Sequence, residues 1–261
     1  MEMSLASKFA LICGSTQGIG LDIAKQLSKL GATCTLIARN EEALQNALKE
    51  LDYVFDQQHN YLVADFSEPQ QVENAIQNHL SSYPVHILVN NTGGPPAGEI
   101  MEAVPNDFVK YFEQHIVCNQ ILAQACLPSM REAGYGRIIN VISTSVRIPL
   151  DNLGISNTIR GAVASWAKSW SNEVAQFGIT VNNILPGFTK TARLRKLIEH
   201  IAQKKGVSFE EVAAQMEKEV PARRFGEAYE IAAVAAFLAS PAASYVNGTS
   251  IPVDGGRTGS I

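Results

Sequence analysis

The chain has 261 residues, with 21 Lys and Arg against 25 Asp and Glu and a formal net charge of −4. A chain of this length buries about three quarters of the surface it would expose when unfolded, so it needs no covalent staples. Its 46% hydrophobic content excludes a disordered chain, and mild acidity without a basic block excludes a nucleic-acid backbone as partner.

Short apolar runs alternate with helical periods along the sequence. Phe9–Cys13 reads as a buried strand, and Ile19–Leu30 as a helix with Ile19, Ile23, Leu27 and Leu30 on one face. Thr33–Ala38 is a second strand, Glu41–Leu51 a second helix and Tyr61–Ala64 a third strand. Val72, Ile76 and Leu80 mark a third helix. Val85–Val89 is a fourth strand, Asp107–Glu132 one long helix, and Arg137–Ile142 a fifth strand. Ile155–Phe177 is a further long helix, Ile179–Leu185 a sixth strand, Tyr229–Leu238 a late helix and Ser250–Val253 a final strand. Alternating strand and helix predicts an α/β fold, a doubly wound, Rossmann-like parallel sheet with helices on both faces. Strands that are continuously apolar agree with burial on both sides. No linker or low-complexity tract interrupts the chain, so residues 1–261 read as one domain. The charged, helical stretch Arg193–Glu219 breaks the alternation. It reads as a lid insertion at about 190–220, or as a plain surface excursion.

Cys13, Cys34, Cys118 and Cys126 form no CxxC pair, so neither a zinc site nor a disulfide framework is expected. Met1–Lys8 shows no basic segment followed by an apolar core, and no apolar run reaches the roughly 18 residues of a membrane span. The expected setting is therefore cytoplasmic, with no membrane partner. Charged residues are 18% of the chain, below the usual quarter, and a subunit interface is one place to hide the deficit.

The first strand runs into Gly14-Ser15-Thr16-Gln17-Gly18-Ile19-Gly20 and then into a helix. Gly14 allows a tight turn, Gly18 admits a pyrophosphate to the backbone, and Gly20 lets helix and strand pack closely. The phosphates would meet the free N–H groups and positive end of that helix. Gly14, Ser15, Gln17, Gly18, Ile19 and Gly20 are accordingly expected at a dinucleotide. The second strand ends Ala38-Arg39-Asn40, without the acid that bonds both ribose hydroxyls in an NAD site. Arg39 suits a 2′-phosphate, which favours NADP and leaves NAD possible. Alternatively, Arg39 caps the turn and pairs with Glu42.

The GxxxGxG spacing resembles the short-chain dehydrogenase/reductase family, in particular its β-ketoacyl-ACP reductase-like members. The likeness runs in order from Lys8 to Gly256. Asn90-Asn91-Thr92-Gly93 resembles the family's NNAG motif, with Thr92 for Ala. Pro186-Gly187-Phe188-Thr189-Lys190-Thr191 resembles its PG motif. Arg224-Phe225-Gly226 and Val253-Asp254-Gly255-Gly256 resemble its C-terminal signatures. The resemblance implies that Asp65 and Phe66 meet the adenine, and that Asn91, Gly93, Pro186, Gly187 and Thr189 also border the cofactor. It further implies hydride transfer to a small-molecule carbonyl or acyl thioester such as a 3-oxoacyl group, and a homo-oligomer, dimer or tetramer. In that assembly the helices from Asp107 and from Ile155 would meet their counterparts.

At the reaction centre the pattern departs from the family. Gly136–Ser143 matches the strand that carries the family's serine, so Ser143 is its equivalent, with Ser145 as fallback. Thirteen residues on, the tyrosine position holds Ser156. Four further, the lysine position holds Arg160, and the asparagine position falls on His115. Ser156 and Arg160, at i and i+4, share a helix face. A serine hydroxyl is a far weaker acid than a phenol. Arg160 holds charge and can hydrogen-bond a ribose or an oxyanion. His115 titrates near neutral pH when unperturbed, so it is either a substitute proton donor or a filler of the asparagine's space. Two functions remain open: an oxidoreductase with an unusual site, or a dinucleotide-binding sensor or subunit with little turnover.

Overall fold

Strands covered on both faces need apolar side chains at successive positions, and the strands here have them. The computed structural model describes residues 1–260. Its strands are β1 (Phe9–Cys13), β2 (Thr33–Ala38), β3 (Asn60–Val63), β4 (Ile87–Asn90), β5 (Gly136–Val141), β6 (Ile179–Pro186) and β7 (Ser250–Val253). They form one seven-stranded sheet in the order β3-β2-β1-β4-β5-β6-β7, and every pairing is parallel. The helices are α1 (Gly18–Lys29), α2 (Glu41–Leu48), α3 (Pro69–Leu80), α4 (Pro105–Phe112), α5 (Cys118–Glu132), α6 (Gly154–Val174), α7 (Ala192–Lys205), α8 (Phe209–Lys218) and α9 (Ala228–Ala239). This is the Rossmann-like fold expected from the alternation.

Each strand alternates between two cores. Ala10 and Ile12 of β1 pack with Ile23 and Leu27 of α1, Leu44 of α2 and Ala232 and Ala235 of α9. Leu11 and Cys13 face the other way, with Val72 and Ile76 of α3, Leu122 and Met130 of α5 and Ala167 of α6. All four cysteines are free and buried in these cores, and burial pushes their thiols well above the ordinary value. They are packing residues. None of the described helices is long and apolar enough to cross a membrane.

Helix α2 stops three residues before the expected end. The helix expected over Asp107–Glu132 is two, α4 and α5, joined by one π turn at Glu113–Val117. Such a turn inserts an extra residue, which apolar periodicity cannot register. It turns His115 into the protein while Ile100, Met101, Val104, Val109 and Phe112 in and before α4 stay exposed. The charged stretch forms α7 and α8. Thr191 caps α7, a Ser208/Glu211 capping box starts α8, and Gly206 (φ +67°) ends α7. Their apolar faces make a small core of their own, with Leu194, Ile198, Val212, Met216 and Phe225.

A polar rung crosses the second half of the sheet. Asn90, Asn140, Asn183 and Ser250 are in-register partners on β4, β5, β6 and β7. Asn90 Nδ2 donates to Asn140 Oδ1 (2.9 Å), Asn140 Nδ2 to Asn183 Oδ1 (2.9 Å), and Asn183 Nδ2 to Ser250 Oγ (3.0 Å). The three amides are buried, and the rung needs every member, because a buried polar group left without a partner costs about 1–3 kcal/mol. Asn140→Leu strands a group on each side and is expected to lower the urea unfolding free energy by about 2–6 kcal/mol. Converting Asn90, Asn140 and Asn183 to leucine together should recover most of that loss. A triple variant no more stable than Asn140→Leu would show that the pairing of these amides is not what holds the rung.

Candidate active site

The strand order reverses between β1 and β4, and the crevice of about 1030 Å³ over their carboxyl ends is lined by the ends of β2, β5 and β6, by the loops after β1, β3 and β4, and by residues of α4, α6 and α7. Gly14 (φ +58°) begins the turn after β1. A side chain there would collide with the Asn91 carbonyl, and one at Gly20 would collide with the Gly14 carbonyl. The Asn91 amide donates to the carbonyls of Cys13 (3.3 Å) and Gly14 (3.2 Å), which ties the turn to the end of β4. Gly14, Thr16, Gln17, Gly18 and Ile19 line the crevice. Helix α1 opens there with no side-chain cap and no acid in its first turn, so its leading N–H groups are available to an anion.

Two of the expected turn residues sit behind the crevice rather than on it. Ser15 is fully buried and its hydroxyl donates to the Ile12 carbonyl (2.9 Å), pinning the turn from beneath. Thr16, not singled out from the sequence, takes the lining place. Gly20 is buried against Gly14 and Asn91.

Arg39 stands at the rim with its side chain 80% exposed, 3.9 Å from Asp65 Oδ2. It neither caps α2 nor pairs with Glu42; Asn40 Oδ1 does the capping by accepting from Ala43 N (2.9 Å). The Asp65 carboxylate accepts from the Ser67 N–H (2.9 Å) and hydroxyl (2.8 Å). The Ser67 backbone bond is the main reason its pKa lies below the ordinary value. Phe66 is buried and also lines the crevice. On the β6 side, Thr189 Oγ1 donates to the Gly187 carbonyl (3.1 Å). Pro186, Gly187 and Thr189 line the same space, as do Asn91 and Gly93.

Ser143, Ser156 and Arg160 are brought together on the crevice wall. Ser143 Oγ accepts from Ser145 N (3.1 Å), while Ser145 itself is buried and does not line the crevice. Arg160, buried on α6, donates from Nη1 to the Val141 carbonyl (3.2 Å) and from Nη2 to the Thr92 carbonyl (3.3 Å). Burial, then the nearby Arg193 charge, push its pKa down to about 9, which leaves it cationic at neutral pH.

His115 lies behind the wall. Its Nδ1 shares a 2.7 Å hydrogen bond with Thr92 Oγ1, and its Nε2 is buried without a partner among the described residues. The neighbouring Gln114 Nε2 donates to the Gly93 carbonyl (3.1 Å), so the π turn fastens this loop at two points. Burial first, then the Arg160 and Arg193 charges, push the His115 pKa down to about 2. The expectation that it titrates near neutrality is therefore corrected: it is a neutral hydrogen-bonding imidazole. Two further lining residues, Tyr111 and Arg193, carry no motif in the sequence and come from α4 and the first turn of α7.

Residues 14–258 match the family described as enoyl-(acyl carrier protein) reductase. The 3-oxoacyl-[acyl-carrier-protein] reductase FabG of Vibrio cholerae is 33% identical, over 97% of this chain and 98% of that one. The chain belongs to the short-chain dehydrogenase/reductase family. The NADPH-dependent reductase BacG of Bacillus subtilis is 27% identical over 98% of this chain and all of its own. The crystal structure of L-sorbose reductase from Gluconobacter frateurii, complexed with NADPH and L-sorbose, is 32% identical with a TM-score of 0.93 over the full length of both chains.

A histidine held neutral in the fold but protonated in the unfolded chain destabilises the fold as pH falls below its ordinary value of 6.5. His59, His79 and His86 are shifted in the same direction, each mainly by burial. The unfolding free energy is therefore expected to fall between pH 7 and pH 5, and His115→Asn to flatten that slope. Urea titrations at stepped pH measure this; an unchanged slope in the variant would remove His115 from the account.

Proposed function

We propose that this short-chain dehydrogenase/reductase family member binds NADP(H) and reduces a small-molecule carbonyl or acyl thioester at a site where Ser156 and Arg160 stand in place of the family's tyrosine and lysine. The observation that carries the reading is one continuous crevice. It begins at Arg39, passes the glycine turn at the uncapped end of α1, and reaches Ser143, Ser156 and Arg160.

The residues fit the dinucleotide. Gly14 and Gly18 adopt positive φ with no room for a side chain at Gly14, which brings backbone N–H groups close to a pyrophosphate. Arg39, exposed at the rim with only the 3.9 Å contact to Asp65, would offer its fork to a 2′-phosphate, and Asp65 would border the adenine. The NADPH of the sorbose reductase complex supports NADP over NAD, which remains the second choice.

When bound, the cofactor supplies the two-electron reduction of the carbonyl. Ser143 Oγ and Ser156 Oγ hydrogen-bond the carbonyl oxygen. Arg160, held by the Val141 and Thr92 carbonyls, keeps a fixed positive charge beside the oxygen as it becomes an alkoxide. Its remaining N–H groups would hold the ribose. The proton reaches the oxygen from solvent, with Ser156 holding the hydrogen bond, so turnover is slow. His115 does not deliver it; neutral across the physiological range, it positions Thr92. A second reading, a dinucleotide-binding sensor or a non-catalytic subunit, rests on the same lack of a group that titrates near pH 7. The exposed apolar side chains around α4 support a homo-oligomer.

Two outcomes are expected. Arg39→Ala should weaken NADPH binding at least tenfold by fluorescence titration and leave NADH nearly unchanged. Equal effects on both would show that Arg39 does not read the 2′-phosphate. In a broad carbonyl panel the native protein should oxidise NADPH slowly, and Ser156→Tyr with Arg160→Lys should raise kcat at least tenfold. Tight NADPH binding with no oxidation by any carbonyl would leave the sensor reading standing instead.

A further inference from the structure

We propose that the carbonyl substrate carries a hydroxylated chain, and that a side cleft of about 260 Å³ beside the reaction serines holds it. This rests on the reading of the crevice as a carbonyl-reducing site and adds the chemical class of what enters it.

The cleft is lined by Thr144, Ile148, Leu150, Glu219, Arg257 and Thr258. Thr144, Leu150 and Arg257 also line the crevice, so the two spaces share a wall. That wall adjoins the reaction centre twice. Thr144 follows Ser143 in the chain. The Leu150 carbonyl accepts from Nδ2 of Asn157 (2.8 Å), the residue after Ser156. None of the lining residues is among those expected at the dinucleotide.

A turn near the end of the chain builds the outer side. The Asp254 carboxylate accepts from the N–H groups of Gly256 (3.0 Å) and Thr258 (2.7 Å). Gly255 has φ +64°, and a side chain there would collide with Val220. The turn lays the Arg257 guanidinium on the Phe188 ring, 4.1 Å from its centroid. Arg257 Nη2 lies 3.0 Å from the carboxylate of Glu219, the residue that ends α8. The cleft is therefore held by backbone bonds, an ion pair and a stacked ring.

Its chemistry is neutral, with hydrogen-bonding capacity to spare. Glu219 answers the Arg257 charge, so neither an anion nor a cation gains from the cleft as a whole. Thr144 is 4% exposed, yet its hydroxyl meets no hydrogen-bond partner among the described residues. Arg257 Nε is likewise buried without a partner. Buried polar groups are hydrogen-bonded as a rule, so such groups around one space call for a ligand that both donates and accepts. A hydroxyl does both. A polyhydroxy chain reproduces the bonds of the water it displaces, whereas an alkyl chain leaves the Thr144 hydroxyl unanswered. Ile148 and Leu150 offer apolar surface to the carbon skeleton between the hydroxyls.

The test uses the full-length protein loaded with NADP, which cannot reduce the ketone. Isothermal titration compares dihydroxyacetone, erythrulose and ribulose with acetone, 2-butanone and 2-pentanone, their counterparts without hydroxyls. At least one polyhydroxy ketone is expected to bind tenfold or more tighter than its counterpart. Thr144→Val should narrow that ratio at least threefold, and Thr144→Ser should keep it. Equal affinities, a preference for the alkanones, or no binding of any polyhydroxy ketone at tens of millimolar would overturn the proposal. So would tighter binding of 4-oxopentanoate than of every polyhydroxy ketone. The comparison in the native protein decides even where Thr144→Val fails to fold. Selective polyhydroxy ketone binding without NADPH oxidation would uphold the cleft and defeat the reductase reading. Preferential oxidation of NADPH by the alkanones would do the reverse, so the two failures are distinguishable.

Discussion

The amide of Asn91 joins the ends of β1 and β4, two neighbouring strands whose onward connections run to opposite sides of the sheet. Everything at the site depends on this junction. It fixes the backbone of Gly14, which leaves no room for a side chain and brings the turn against β4. The turn in turn presents the start of α1 with its N–H groups free. Immediately after Asn91, the carbonyls of Thr92 and Gly93 take the Arg160 guanidinium and the Gln114 amide. The glycine turn and the wall that carries Arg160 are therefore set by consecutive residues of one loop.

Much of this was legible in the sequence. Seven apolar runs matched seven strands, since two-sided burial leaves an unbroken hydrophobic signature. The glycine spacing marked the turn, and counting from Ser143 brought Ser156 and Arg160 to the same wall. Other features had no such signature. The π turn at Glu113–Val117 adds one residue within an otherwise helical pattern. Thr16 and Ser15 are adjacent small hydroxyl residues, and only the direction each takes at the turn decides which meets the crevice. The His115 imidazole is held neutral by burial and by Arg160 and Arg193, which are remote in sequence. Tyr111 and Arg193 reach the crevice from elements that no motif connects to it.

Charge is distributed against the chain's overall sign. The acids lie mostly outside, while the crevice concentrates Arg and Lys among polar backbone groups. Field lines in such a cleft are less screened than on an open surface, so they raise the local concentration of anionic ligands. Burial first, with that field added, keeps the nearby His115 imidazole neutral. The crevice thus offers fixed positive charge and polar backbone groups to whatever enters it.

The asparagine rung has a consequence for how the strands find one another. It lies between the apolar rungs of Leu88, Ile138 and Val181 on one side and of Ile142 and Leu185 on the other. Sliding β5 or β6 by one residue would turn its amide to the opposite face. Sliding it by two would set that amide among aliphatic side chains with no group to answer it. Hydrophobic strands alone tolerate such slips, because one branched side chain packs nearly as well as the next. Three asparagines therefore act as a key that admits a single alignment of the strands beneath the reaction centre.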